Sequence, residues 1–68
     1  MFTINASKIR ELMFAHDIKG VAELARQAKI NAATAAKALR DGSRATAKVI
    51  NALAKFFGVS GNELILKE

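Results

Sequence analysis

Apolar positions recur at intervals of three and four along most of the chain, the spacing that gathers side chains on one stripe of an α-helix. Ile9, Leu12, Met13 and His16 predict a first helix, opened by Asn5 or Ser7, with Leu12 and Met13 in the core. Val21, Leu24, Ala25 and Ala28 predict a second, and Ala35, Ala38 and Leu39 a third, separated by a tight break at Lys29-Ile30-Asn31. Val49, Ile50, Leu53, Ala54 and Phe57 predict a fourth over Ala47 to Phe57, capped by Thr46. Gly58 closes it, because a residue without Cβ accepts the left-handed backbone of a helix end. Ser60-Gly61-Asn62-Glu63 reads as a capping box for a short fifth helix through Leu64, Ile65 and Leu66, although Glu63 to Lys67 also suits an extended segment. Residues 1 to 4 are expected to be frayed, and Gly20 to punctuate the break from His16 onward. Phe2, Ile4 and Phe14 fit no stripe and are left to cover a neighbouring helix or a second subunit.

The third helix has an unusual outer face. Asn31 is a good N-cap, since its side-chain oxygen can accept from the free N–H groups of the following turn. With a step of about 100° per residue, Ala32, Ala33, Ala36, Lys37 and Arg40 fall on one arc, opposite Ala35, Ala38 and Leu39. The outward arc consists of methyl groups and cations, without a carboxylate. A helix that enters the major groove of DNA needs those properties: it must be slim, and positive where it meets phosphate.

Composition sharpens this picture. Sixty-eight residues make one domain spanning 1–68. A core this small contributes little net stability, so regular helix packing or oligomerisation has to help. The sequence has no Cys and one His, which excludes disulfides and a zinc site of the usual ligand count; no metal or cofactor is expected. Its apolar runs fall far short of the roughly 20 residues that span a bilayer, and the start MFTINASKIREL lacks signal-peptide character. A cytoplasmic protein is therefore expected. The net charge of +5 is unevenly placed. Arg26, Lys29, Lys37, Arg40, Arg44, Lys48 and Lys55 stand against one anion in that interval, Asp41, whereas the remainder has four cations and five anions. Such a basic half points to a polyanion, and to nucleic acid before a membrane surface.

The stretch Val21 to Arg40 resembles the helix-turn-helix of the phage Cro and repressor (XRE-type) family. The residues that carry the resemblance are Leu24-Ala25, an apolar Ile30 after the turn, Asn31 at the cap, and inward Ala35 and Ala38. One departure is Lys29, where the family usually has the glycine of a left-handed turn; a lysine adopts that backbone only at some cost. The resemblance implies an all-α, five-helix, lambda-repressor-like domain with the helix-turn-helix as helices 2 and 3. It also implies a bacterial or phage source and a nucleoid-associated homodimer, paired through those of the C-terminal apolar residues Phe57, Val59, Leu64 and Leu66 that a monomer leaves exposed; the alternative is that these residues close the monomer's own core around Phe2 and Ile4.

On this reading the protein is a sequence-specific repressor bound to a palindromic double-stranded operator. Ala32 and Ala33 meet base edges, their methyls suited to thymine; Lys37 is placed to reach guanine, and Thr34 lies at the edge of the face. Asn31, Arg40, Ser43, Arg44 and Lys48 are assigned to phosphate, the loop Asp41-Gly42-Ser43-Arg44 following directly on the reading helix. The alternative is a protein-binding module, an antirepressor or antitoxin engaging a second regulatory protein, for which small outward residues also suit. Ser7, His16 and Asp17 are the only set from which an enzyme could be assembled, and nothing around them orients a nucleophile, so no catalysis is expected.

Overall fold

The computed structural model describes residues 1–66. Its elements run β1 (Phe2–Thr3), α1 (Ala6–Ala15), α2 (Val21–Ala28), α3 (Ala32–Ala38), β2 (Arg44–Ala45), α4 (Ala47–Phe57) and a 3₁₀ helix, Gly61–Leu64. The helices expected from periodicity are present, with α4 at the expected bounds. Two features correct the expectation of a five-helix, all-α fold. The Ser60 box caps a single 3₁₀ turn: the Ser60 hydroxyl accepts the Asn62 N–H, and the Glu63 carboxylate accepts the Ser60 N–H, both at 3.3 Å. From Ile65 (φ −119°, ψ 148°) the backbone is extended. That agrees with the extended alternative as far as Leu66; Lys67 lies outside the described residues.

The second correction concerns residues 1 to 4, of which Phe2, Thr3 and Ile4 are tied down on both sides. β1 and β2 pair antiparallel, Phe2 opposite Ala45 and Thr3 opposite Arg44. Ile4 donates its N–H to the Ser43 carbonyl and bridges antiparallel to Ile65. The Asn5 N–H reaches the Leu64 carbonyl at 2.8 Å, and the Leu66 N–H the Thr3 carbonyl at 2.9 Å. The amino-terminal strand therefore lies between the loop after α3 and the C-terminal segment, and Ile4 is among the most buried side chains of the chain. Ladder hydrogen bonds between segments some 40 and 60 residues apart leave no local periodicity to read in so short a strand.

Three of the four α-helices end alike. Asp17 (φ 57°), Lys29 (φ 60°) and Gly58 (φ 71°) take the left-handed conformation just past α1, α2 and α4. The next residue in each case donates its N–H back to the helix: Ile18 to Met13, Ile30 to Ala25 and Val59 to Ala54. This closure folds the following apolar residue under the helix end; Ile18 is buried, and Ile30 and Val59 pack against the core. Gly20, expected to break the chain by its own freedom, is instead extended (φ −171°) and precedes α2. Asp17 makes the sharp change of direction.

The core combines Ile4, Ile9, Met13, Ile18, Leu24, Ile50, Leu53, Phe57 and Leu64 with Ala25, Ala28, Ala35, Ala38, Ala45 and Ala54. Leu12 lies at its edge, half-buried, while Met13 and Ile9 are inside. Alanines on α3 let that helix seat closely on its neighbours, which sets it directly on a rigid support.

Candidate nucleic-acid interface

The geometry of α3 follows from its two ends. At its start the Asn31 Oδ1 accepts the Ala33 N–H at 2.7 Å, which satisfies one of the orphan donors of a helix N-terminus. Lys29, two positions earlier, holds φ 60° and ψ 44°, so the turn keeps the left-handed geometry that glycine would adopt without strain. Ala35 and Ala38 are fully buried beneath the helix. Ala32, Ala33, Lys37 and Arg40 are exposed, and Thr34 and Ala36 half-buried. The arc inferred from helical stepping is thus the face turned outward.

At the other end the Ser43 hydroxyl donates to the Arg40 carbonyl at 2.9 Å and also points at the Lys37 carbonyl. The Ser43 N–H donates to the Arg40 carbonyl at 3.3 Å. A hydroxyl has one proton, and a phosphate oxygen needs a donor. Ser43 therefore caps the last carbonyls of α3. Arg10 of α1 adds to this closure, with Nη1 2.9 Å from the Leu39 carbonyl and Nη2 3.5 Å from Asp41. Sequence reasoning missed Arg10, because a cation on the solvent side of a helix carries no periodic signal.

Arg44 sits exposed in β2, and Lys48 in the first turn of α4. Thr34, Lys37, Arg44 and Thr46 share the walls of a cleft of about 180 Å³ floored by Ile4 and Val49. Fold topology thus joins α3, β2 and the start of α4 into one continuous surface. Its electrostatics are one-sided. The five described carboxylates, Glu11, Asp17, Glu23, Asp41 and Glu63, all lie within 2.8–3.8 Å of Lys8, Arg10, Lys19 or Arg26. Among the described residues no carboxylate pairs with Lys29, Lys37, Arg40, Arg44, Lys48 or Lys55.

The four C-terminal residues expected at a subunit interface divide. Phe57 is buried and Leu64 has no exposed surface, so both belong to the protomer's own core, as in the alternative in which these residues close the monomer. Val59 is half-buried against the core, and Leu66 is exposed. Leu66 shares a shallow hollow with Met1 and Phe2, both exposed, together with Thr3 and Arg44. Phe14, the most exposed large apolar side chain, stands elsewhere, on α1. Of Ser7, His16 and Asp17, the His16 ring packs edge-on against Phe57 at 5.2 Å, and Asp17 pairs with Lys19. No described helix is long and apolar enough to cross a membrane.

A short helix with a buried alanine face, set on a preceding helix by a left-handed turn and presenting cations outward, defines a helix-turn-helix DNA-binding domain. The family model of the Cro/C1-type HTH DNA-binding domain matches residues 8–65, and the chain belongs to that family. The match begins within α1, after the amino-terminal strand. Neither the comparison with curated proteins nor that with solved structures returns a match.

Proposed function

We propose that this DNA-binding domain is a sequence-specific transcriptional regulator of the repressor or Cro-like kind, which occupies a two-fold operator as a homodimer with α3 in the major groove. The observation that carries this reading is the exposed outer face of α3, which bears Lys37 and Arg40 and shares a cleft with Arg44, none of the three with a described carboxylate partner. Ala32 and Ala33 offer methyls to thymine, Lys37 a donor to guanine O6 or N7, and Thr34 a hydroxyl at the edge of the face. Asn31, whose amide nitrogen stays available beside its capping oxygen, joins Arg40, Arg44 and Lys48 on phosphate. With Phe57 and Leu64 occupied internally and Val59 half-buried against the core, pairing of subunits falls to Leu66, with Phe2 beside it. Two-fold pairing would set the reading helices about 34 Å apart, one turn of duplex.

So few hydrogen-bonding readers give modest discrimination in each half-site, and DNA shape and dimerisation supply the rest. Titration with random duplex at low and moderate salt tests the electrostatic part, and selection from a random duplex pool the rest. A two-fold consensus is expected. Failure to bind any duplex in dilute buffer would favour the second reading, in which the methyl-rich face of Ala32, Ala33 and Ala36 packs against a regulatory protein.

A further inference from the structure

The C-terminal end of α3 has a negative character that DNA docking must contain. The helix dipole places partial negative charge there, and Asp41, the single carboxylate between Arg26 and Lys55, stands two residues beyond Leu39. Arg40 and Arg44 flank it in the stretch assigned to the phosphate backbone. An uncompensated carboxylate in that place opposes every phosphate nearby. Arg10 reaches it from α1, 29 positions from Leu39 in sequence. Its guanidinium donates to the Leu39 carbonyl at 2.9 Å with one nitrogen and lies 3.5 Å from the Asp41 carboxylate with another. The planar fork of arginine allows one side chain to cover both groups.

We propose that Arg10 is a positioning residue for DNA docking: it neutralises Asp41 and ties the C-terminal end of the reading helix to α1, so that phosphate meets a uniformly positive surface. The role rests on the DNA-binding reading above. Folding accounts for the Leu39 hydrogen bond, which closes the helix end, but poorly for the Asp41 contact, because side chains 49% and 85% exposed form an ion pair that water screens well. Its effect belongs to binding, where a phosphate brought close to Asp41 meets the carboxylate with or without its counter-charge.

The test uses the full chain as native protein, Arg10→Ala, Arg10→Gln, Asp41→Asn and Arg10→Ala/Asp41→Asn, titrated with labelled random duplex over a salt series. Urea unfolding in parallel establishes that each variant is folded; Arg10→Gln keeps a donor for Leu39 should Arg10→Ala fail. Arg10→Ala and Arg10→Gln are expected to weaken binding about three- to tenfold at low salt, the loss shrinking as salt rises. Asp41→Asn binds as tightly as the native chain or tighter, and the double variant returns to within about twofold of Asp41→Asn. Loss of the arginine costing as much in the Asp41→Asn background as in the native one overturns the role. So does a salt slope lowered by about 0.9 on removing Arg10 in the Asp41→Asn background, which makes Arg10 itself a phosphate contact. If the native chain binds no duplex, the DNA-binding reading fails and this role with it; native binding without rescue removes this role alone.

Discussion

Asn31 accepts the Ala33 N–H with its side-chain oxygen at 2.7 Å, at the point where the turn hands over to the reading helix. The same residue thus caps α3 and faces outward. Two substitutions separate those roles. Asn31→Ala removes the cap and should cost about 1 kcal/mol of stability in urea unfolding. Asn31→Asp keeps the acceptor and suits the helix dipole, so stability should hold while affinity for duplex falls, because a carboxylate now faces phosphate. Equal DNA affinity for Asn31→Asp and the native chain would take this residue off the docking surface.

Lys29 holds a left-handed backbone that an L-residue adopts at a cost. Lys29→Gly relieves it, and the unfolding free energy should rise by about 1 kcal/mol, less the extra freedom that glycine gains when unfolded. A drop in the urea midpoint would mean that the lysine stem stabilises the turn through contacts outweighing its strain.

Lys37 and Arg44 line one cleft, yet they are assigned different work. Lys37→Ala should cost about 1–3 kcal/mol on a selected site and relax preference at one base pair. Arg44→Ala should weaken all duplexes alike and reduce the slope of log K against log salt by about 0.9. If both variants lose affinity uniformly, Lys37 is a second phosphate contact and base discrimination rests on the alanines and DNA shape.

Leu64 and Leu66 are two positions apart and take opposite environments, the first fully buried and the second 48% exposed. Leu64→Ala should cost about 2–5 kcal/mol, a large share of what a domain of this size holds. Leu66→Lys should shift sedimentation toward monomer and lower the urea midpoint only as far as pairing stabilises the native chain, a loss that vanishes as the protein is diluted. Sedimentation unaffected by Leu66→Lys would place pairing of subunits on another surface, with Phe14 on α1 the next to test.

Periodicity located all four α-helices because each carries a stripe several residues long, and local capping chemistry marked Asn31, Thr46 and Gly58, whose partners lie within the same helix. The candidate interface was legible to the same extent. Alanines at 35 and 38 must face inward if Ala32, Ala33 and Lys37 face outward, since helical geometry links them. The capping contact of Ser43 is not legible in the sequence, because a hydroxyl suits water, phosphate or a helix end equally, and only the course of the loop brings it to the Arg40 carbonyl. The cover of Phe57 and Leu64 stays open in the sequence for a related reason: an apolar side chain signals burial without saying whether the cover comes from its own chain or from another.

From the order of its residues alone, this chain specifies a basic helix-turn-helix with a slim alanine face, because i to i+4 spacing, caps and local charge density act over one or two helical turns. Tertiary structure decided the remainder: the strand Phe2–Thr3 beside Arg44–Ala45, the bridge from Ile4 to Ile65, and Arg10 at the end of α3. Those contacts join positions that are distant in sequence, and nothing local to either partner favours one distant neighbour over another until the helices have packed.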